Sequence, residues 1–186
     1  MFYNCYSLEN INIPDGLTSI GTYTFYGCRN LKSITLPELI TSIPSNCFSS
    51  CASLKEIVIS GTLTTISSSA FSACYSLKKM EYPSTATSIA ATVFQYCYSL
   101  TSFTIPKTVT SIAANAFNNC TGLMALYALP TSPPTVSSSN ILYGFSSNLK
   151  IYVPYSEDHS ILNAYKTAKN WSTHASKMVE MPAPVV

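Results

Sequence analysis

Cysteine stands at positions 5, 28, 51, 74, 97 and 120, and every step is 23 residues. Leucine follows at 8, 31, 54, 77, 100 and 123, and phenylalanine at 2, 25, 48, 71, 94 and 117. Three more columns keep the same register. They are Ile11, Ile34, Ile57, Met80, Phe103, Leu126, then Ile13, Leu36, Ile59, Tyr82, Ile105, Ala128, and then Ile20, Ile43, Ile66, Ile89, Ile112. A fixed period in the twenties marks a stack of coils, each too small to bury its own apolar edge. The chain is therefore read as an α/β repeat solenoid, rich in β structure, with cooperative stacking in place of a single closed core.

Within a coil, the stretch from leucine to proline alternates apolar and polar, as in Ile11-Asn12-Ile13. That predicts a short strand with one face inward, stopped by a residue with no N–H to donate. Leu17 to Ile20 predicts a second short extended piece, and Ser69 to Cys74 has room for about one helical turn. At a stacking distance of about 4.8 Å, six coils rise on the order of 29 Å. The cysteine column, flanked by phenylalanine and leucine, is read as interior, where cysteine acts as a small hydrophobe. Stacking distance alone does not forbid disulfides, but an in-register ladder gives no cysteine a preferred neighbour. The spacing is not that of a zinc site. Cys47 shares a column with Thr24, Ala70, Val93 and Ala116 and reads as filler. Seven free thiols are expected.

The rhythm changes after Leu129. Residues 1–129 read as about six coils, the first truncated, 130–154 as an irregular last coil, and 155–186 as a C-terminal cap of the same domain. Ser156 is the predicted N-cap of a helix reaching Lys169, with acids in its first turn. Ile161, Leu162, Tyr165 and Ala168 form its apolar stripe. Trp171 and the segment 177–181 are expected to pack beside it, closing the exposed end of the stack.

Composition narrows the function. The chain is 47% hydrophobic but only 10% charged, against roughly 25% charged in an average domain. No run reaches the roughly 18 apolar residues of a membrane-spanning helix, so membrane insertion is not expected. A net charge of +2 gives no reason to expect nucleic acid. The chain opens in the middle of a repeat, which predicts a piece of a longer protein with any export signal upstream. Glu157, Asp158 and His159 form a suggestive trio for hydrolysis, but they are read as the solvated first turn of a helix. No phosphate loop or calcium loop appears. The chain reads as non-catalytic, with no cofactor and no metal.

Surface columns are the better candidates, because a stack of repeats presents them as flat ladders. Tyr75 and Tyr98 fall in the column after the cysteine, and tyrosine is enriched at binding surfaces. The strand face carries Glu56, Lys79 and Glu81, and at its edge Lys32, Lys55 and Lys78 stack in three successive coils. These eight residues are the candidate ligand surface. A solvated stripe guarding the ladder against aggregation is the plain alternative.

The pattern AFxxCxxLxxIxIPxxVTSI, seen here in NAFNNCTGL and SFTIPKTVTSI, resembles the BspA-like leucine-rich repeats of mainly bacterial cell-surface proteins. The ending LKIYVP followed by AYKTAKNWS resembles the cap of gut-bacterial members. The resemblance implies a right-handed leucine-rich-repeat superhelix, secretion or surface display, and adhesion through a host extracellular protein or glycan. The alternative is a structural spacer displaying another domain. Ser60 and Leu129 stand where proline is expected, and Ala86 and Ala128 shrink core positions, which bears on local packing.

Overall fold

The computed structural model describes residues 1–184. Its organising element is a ladder of short parallel strands, one in most repeats. These are β1 (Ser33–Leu36), β3 (Glu56–Ile59), β6 (Ser102–Ile105), β8 (Ala125–Ala128), β10 (Lys150–Val153) and β11 (Met178–Glu180). A second ladder is built from two-residue strands: β2 (Ser42–Ile43), β4 (Thr65–Ile66), β5 (Ser88–Ile89), β7 (Ser111–Ile112) and β9 (Thr135–Val136). Partners within the repeats are 23 residues apart, as in Ser33 against Glu56 and Ser102 against Ala125. The residues of each apolar column therefore sit above one another. The result is a leucine-rich-repeat fold of parallel strands with few helices.

The third side of each coil is not a helical turn. It is a run of tight turns that bonds both within its coil and to the next one. Phe48, Asn46 and Ser50 donate their N–H groups forward to Ala70, Ser68 and Ser72, while Ser49 and Cys51 donate back to Asn46 and Phe48. This alternation needs two left-handed residues per coil. Tyr23, Asn46, Ser69, Thr92 and Asn115 form one such column, and Asn4, Gly27, Ser50, Ala73, Tyr96 and Asn119 the other, all with φ of 53 to 70°. Each left-handed residue turns its peptide so that the N–H points along the stack.

Inside, the phenylalanines form a continuous pile with centroid separations of 5.4 to 5.8 Å and nearly parallel rings. That is the offset-stacked range for aromatic pairs. The cysteine, leucine and isoleucine columns complete the core. Cys28, Cys51, Cys74, Cys97 and Cys120 are fully buried, all seven thiols are free, and Cys5 is exposed at the first coil.

Three expected strands do not form. Neither residues 10–13 nor residues 79–82 join the first ladder, and residues 17–20 do not join the second. The first ladder is thus split into β1-β3 and β6-β8-β10-β11, and the second into β2-β4 and β5-β7-β9. Both splits fall at the same level. At that level lies Tyr82, in a column otherwise filled by isoleucine, leucine or alanine. Its ring sits edge-on to Phe94 and Phe103, at 6.2 and 5.8 Å. Its hydroxyl reaches across the core to the second ladder, where it donates to Ser88 O at 3.3 Å and accepts from Ala90 N–H at 3.4 Å.

The C-terminal helix α1 covers Ser160–Thr167, not 156–169. His159, at φ 57°, precedes it in a left-handed conformation, which no helical turn can include. Ser156 Oγ still accepts from Ile161 N–H at 3.2 Å, and Asp158 Oδ1 accepts from Ser160 N–H at 3.0 Å. The acids therefore lie ahead of the first turn. Residues 178–180 are more than a packed tail, since β11 extends the first ladder beside β10. Buried Tyr165 donates its hydroxyl to Pro130 O at 2.9 Å, and buried Trp171 donates its indole N–H to Pro134 O at 2.8 Å.

Candidate functional site

The strand ladder lifts every second side chain into solvent, so the polar residues of β1, β3, β6 and β8 share one face. Glu56 and Val58 of β3 and Thr104 of β6 are exposed there. Lys79 and Glu81 occupy the equivalent positions in the coil between them and pair with each other at 3.2 Å, both largely solvated. A pair so exposed contributes little to stability, so it remains free to exchange partners.

At the edge of this face the lysine stripe is real in register. Lys55 N–H donates to Lys32 O at 2.9 Å, and Lys78 N–H donates to Lys55 O at 3.4 Å. Electrostatically the three differ. Lys32 donates to Glu9 Oε2 at 2.6 Å, and this hydrogen bond holds the Glu9 carboxyl below the usual carboxylate range. Lys55 and Lys78 have no carboxylate at ion-pair distance among the described residues. The stripe therefore offers two unpaired cations.

Tyr75 and Tyr98 stack at 5.1 Å and remain about two-fifths exposed. Tyr75, Lys78, Lys79 and Glu81 all come from a single coil. Three features escaped the sequence reading. Arg29 lies over the Tyr6 ring at 5.1 Å. Tyr127 and Tyr152 stack at 4.8 Å on the strand face, and an alignment of the irregular coil with an offset of 25 would have revealed this. The third is a groove of about 460 Å³ between residues 79–82 and β6, extended by Pro106, Lys107 and Leu129. Its signal was the tyrosine in an aliphatic column together with Ala86.

The trio at the C-terminal end does not assemble as a reaction centre. Asp158 serves the start of α1, and the Ser160 hydrogen bonds hold its carboxyl below the ordinary range. His159 Nδ1 lies 2.6 Å from Glu180 Oε2, which ties the start of α1 to β11. Among the described residues no group of three or more histidine, cysteine or acidic side chains could hold a metal ion. None of their helices is long and apolar enough to cross a membrane.

A family model described as "BspA type Leucine rich repeat region" matches residues 1–124 in six copies. Among solved structures, the chain resembles a leucine-rich repeat protein of T. pallidum at 23% identity and TM-score 0.62, covering 88% of this chain and 78% of that one. A leucine-rich repeat protein from Bacteroides ovatus aligns at 19% identity and TM-score 0.49, covering 96% and 61%. A leucine-rich cell surface protein from Faecalibacterium prausnitzii aligns at 21% identity and TM-score 0.36, covering 88% and 70%. No curated protein matches. At these identities the first likeness speaks for the fold alone.

Proposed function

The chain belongs to the BspA-type leucine-rich repeat family, and from that premise we propose that it is a non-catalytic binding module of a secreted or cell-surface protein. Its ligand is a host extracellular protein or glycan. Repeats of this family generally serve protein interaction and are typically carried by surface proteins. The module is a right-handed solenoid over residues 1–129, with an irregular last coil to 154 and a cap beyond it, all one domain. Residues 185 and 186 of that cap lie outside the described residues.

One observation carries the reading. Lys55 and Lys78 stand in register and unpaired, beside a strand face carrying Glu56, Lys79 and Glu81 and a rim carrying stacked Tyr75 and Tyr98. Unpaired cations on a rigid ladder attract acidic proteins and sulfated glycans, and salt weakens that attraction.

The test is a binding screen against immobilised matrix proteins, mucins and sulfated glycans at two salt concentrations. A salt-sensitive hit should weaken about ten-fold when Lys55 and Lys78 become alanine together. A hit unchanged by Lys55→Ala, Glu56→Ala and Lys78→Ala together would sink the assignment to this face. No hit at all would favour the spacer.

A further inference from the structure

We propose that the groove at the split in the strand face takes up an extended, acidic peptide segment of a partner protein as an added strand along β6. This rests on the strand face being an interaction surface, and it names the class of partner.

The argument begins with hydrogen bonds. β6 pairs with β8 along one edge only. Among the described residues, no backbone hydrogen bond joins residues 79–82 to β6 or to β3. Just ahead of this segment the ladder bonds are already long, with Lys78 N–H donating to Lys55 O and Thr101 N–H to Lys78 O, both at 3.4 Å. An interior strand of the ladder is therefore left with the donors and acceptors of an edge strand, and such groups seek partners. The ligand that supplies N–H and C=O alternately at strand spacing is another extended backbone.

The groove gives that backbone somewhere to lie. Its floor is apolar, with Met80, Tyr82 and Phe103 at 5%, 9% and 2% exposure. Its volume of about 460 Å³ falls within the range of ligand sites, roughly 300–1,000 Å³. Alternate side chains of an added strand would enter it, and the others would meet the rim. That rim carries Lys79 and Lys107 against the single carboxylate of Glu81, with unpaired Lys78 next in the chain. The charge excess selects acidic side chains. The edge of β3 on the other side of residues 79–82 adjoins a hollow with Glu56 and Glu81 against Lys79, and the edge of β1 facing residues 10–13 adjoins one whose lining contains no cation. The acidic preference therefore belongs to the split.

The probe is a fluorescein-labelled seven-residue peptide alternating valine with glutamate, titrated with the whole chain and read by fluorescence anisotropy. Saturable binding is expected. It should be about ten-fold weaker for the lysine version of the probe, and for a version whose central amides are N-methylated and cannot donate. Tyr82→Ile restores the residue type of the column, should close the groove, and should lose about ten-fold in affinity. Lys107→Glu, a surface change that leaves packing alone, should weaken the acidic probe and strengthen the lysine one. The proposal is overturned if the acidic probe does not bind, if both variants bind it like the parent, or if N-methylation has no effect. Binding of a sulfated hexasaccharide lost in both variants, with no peptide bound, would also overturn it, in favour of a glycan groove. The arms separate the two readings. Lys55→Ala with Lys78→Ala should weaken hits at the lysine edge about ten-fold while this probe still binds. Those hits surviving in Tyr82→Ile, with the probe never bound by the parent, would remove the groove alone.

Discussion

Each buried cysteine of the 23-residue column, from Cys28 to Cys120, fills space and also donates a hydrogen bond. Phe25 O accepts the Cys28 N–H of its own coil and the Cys51 thiol of the next, both at 3.1 Å. Cys28, Cys74, Cys97 and Cys120 repeat the thiol contact onto Phe2, Phe48, Phe71 and Phe94 at 3.0 to 3.2 Å. Both lone pairs of each such carbonyl on Phe25, Phe48, Phe71 and Phe94 are thus used. Alanine would leave one unpaired beside a void, and Cys74→Ala should cost about 1–3 kcal/mol in urea unfolding. Burial pushes the Cys47 and Cys120 thiols up to about 12, and drives Cys74 and Cys97 upward too. These groups hold protons in the folded state that the unfolded chain releases above about pH 9, the ordinary thiol value. The thiol contribution to folding stability should therefore be flat below pH 9 and fall between pH 9 and about 12, by up to about 1.4 kcal/mol per pH unit for each such thiol. Urea midpoints at pH 8 and pH 10 in reductant check the sign, and equal midpoints would refute it. Native protein should give dithionitrobenzoate one accessible thiol, Cys5, with the remainder appearing only in denaturant. The sequence disclosed that these cysteines are interior. It could not disclose the thiol bond, which depends on how far one coil rises above the last.

At the scale of elements, the strands were the easy part, because period-two alternation survives in almost every repeat. The turn side was harder. A left-handed residue usually announces itself as glycine or asparagine, and here tyrosine, serine, threonine and alanine fill many such positions. What holds them is the forward N–H bond that each makes to the next coil. Gly27 shows the constraint most directly. It sits at φ 70°, and a Cβ there would run into the side chain of Asn4 in the preceding coil. Gly27→Ala should therefore destabilise by about 1–2 kcal/mol, measured by urea unfolding. Asn4→Ala should recover part of that loss, whereas a loss unaffected by Asn4→Ala would show that φ alone is responsible. The C-terminal helix was legible as an apolar stripe but not in its bounds. Ser156 and the acids promised a start four residues early, and left-handed His159 moved it to Ser160.

For the whole molecule, one side chain decides how the stack is divided. Read locally, Tyr82 is a large residue in a core column. Read together with Phe103, Ser88 and Ala90, it links the first ladder to the second across the core at the level where both are split. The two blocks remain joined on the turn side, where Ser69, Phe71 and Ala73 donate forward to Ala91, Val93 and Gln95 and Phe71 stacks on Phe94 at 5.8 Å. Repeat proteins derive much of their cooperativity from the contacts between neighbouring repeats. A weakened interface should therefore let the smaller block open first. That block contains β1 to β4, while the larger holds a four-stranded and a three-stranded ladder buttressed by Tyr165 and Trp171. Native-state hydrogen exchange should give the amides of β1 and β3 a common opening free energy below that of β6, β8 and β10. In Tyr82→Ile, which lets residues 79–82 pair on both sides, the two groups should converge. A single opening free energy in the parent would show that the turn ladder alone makes the stack one cooperative unit, and that the split shapes the surface without dividing the fold.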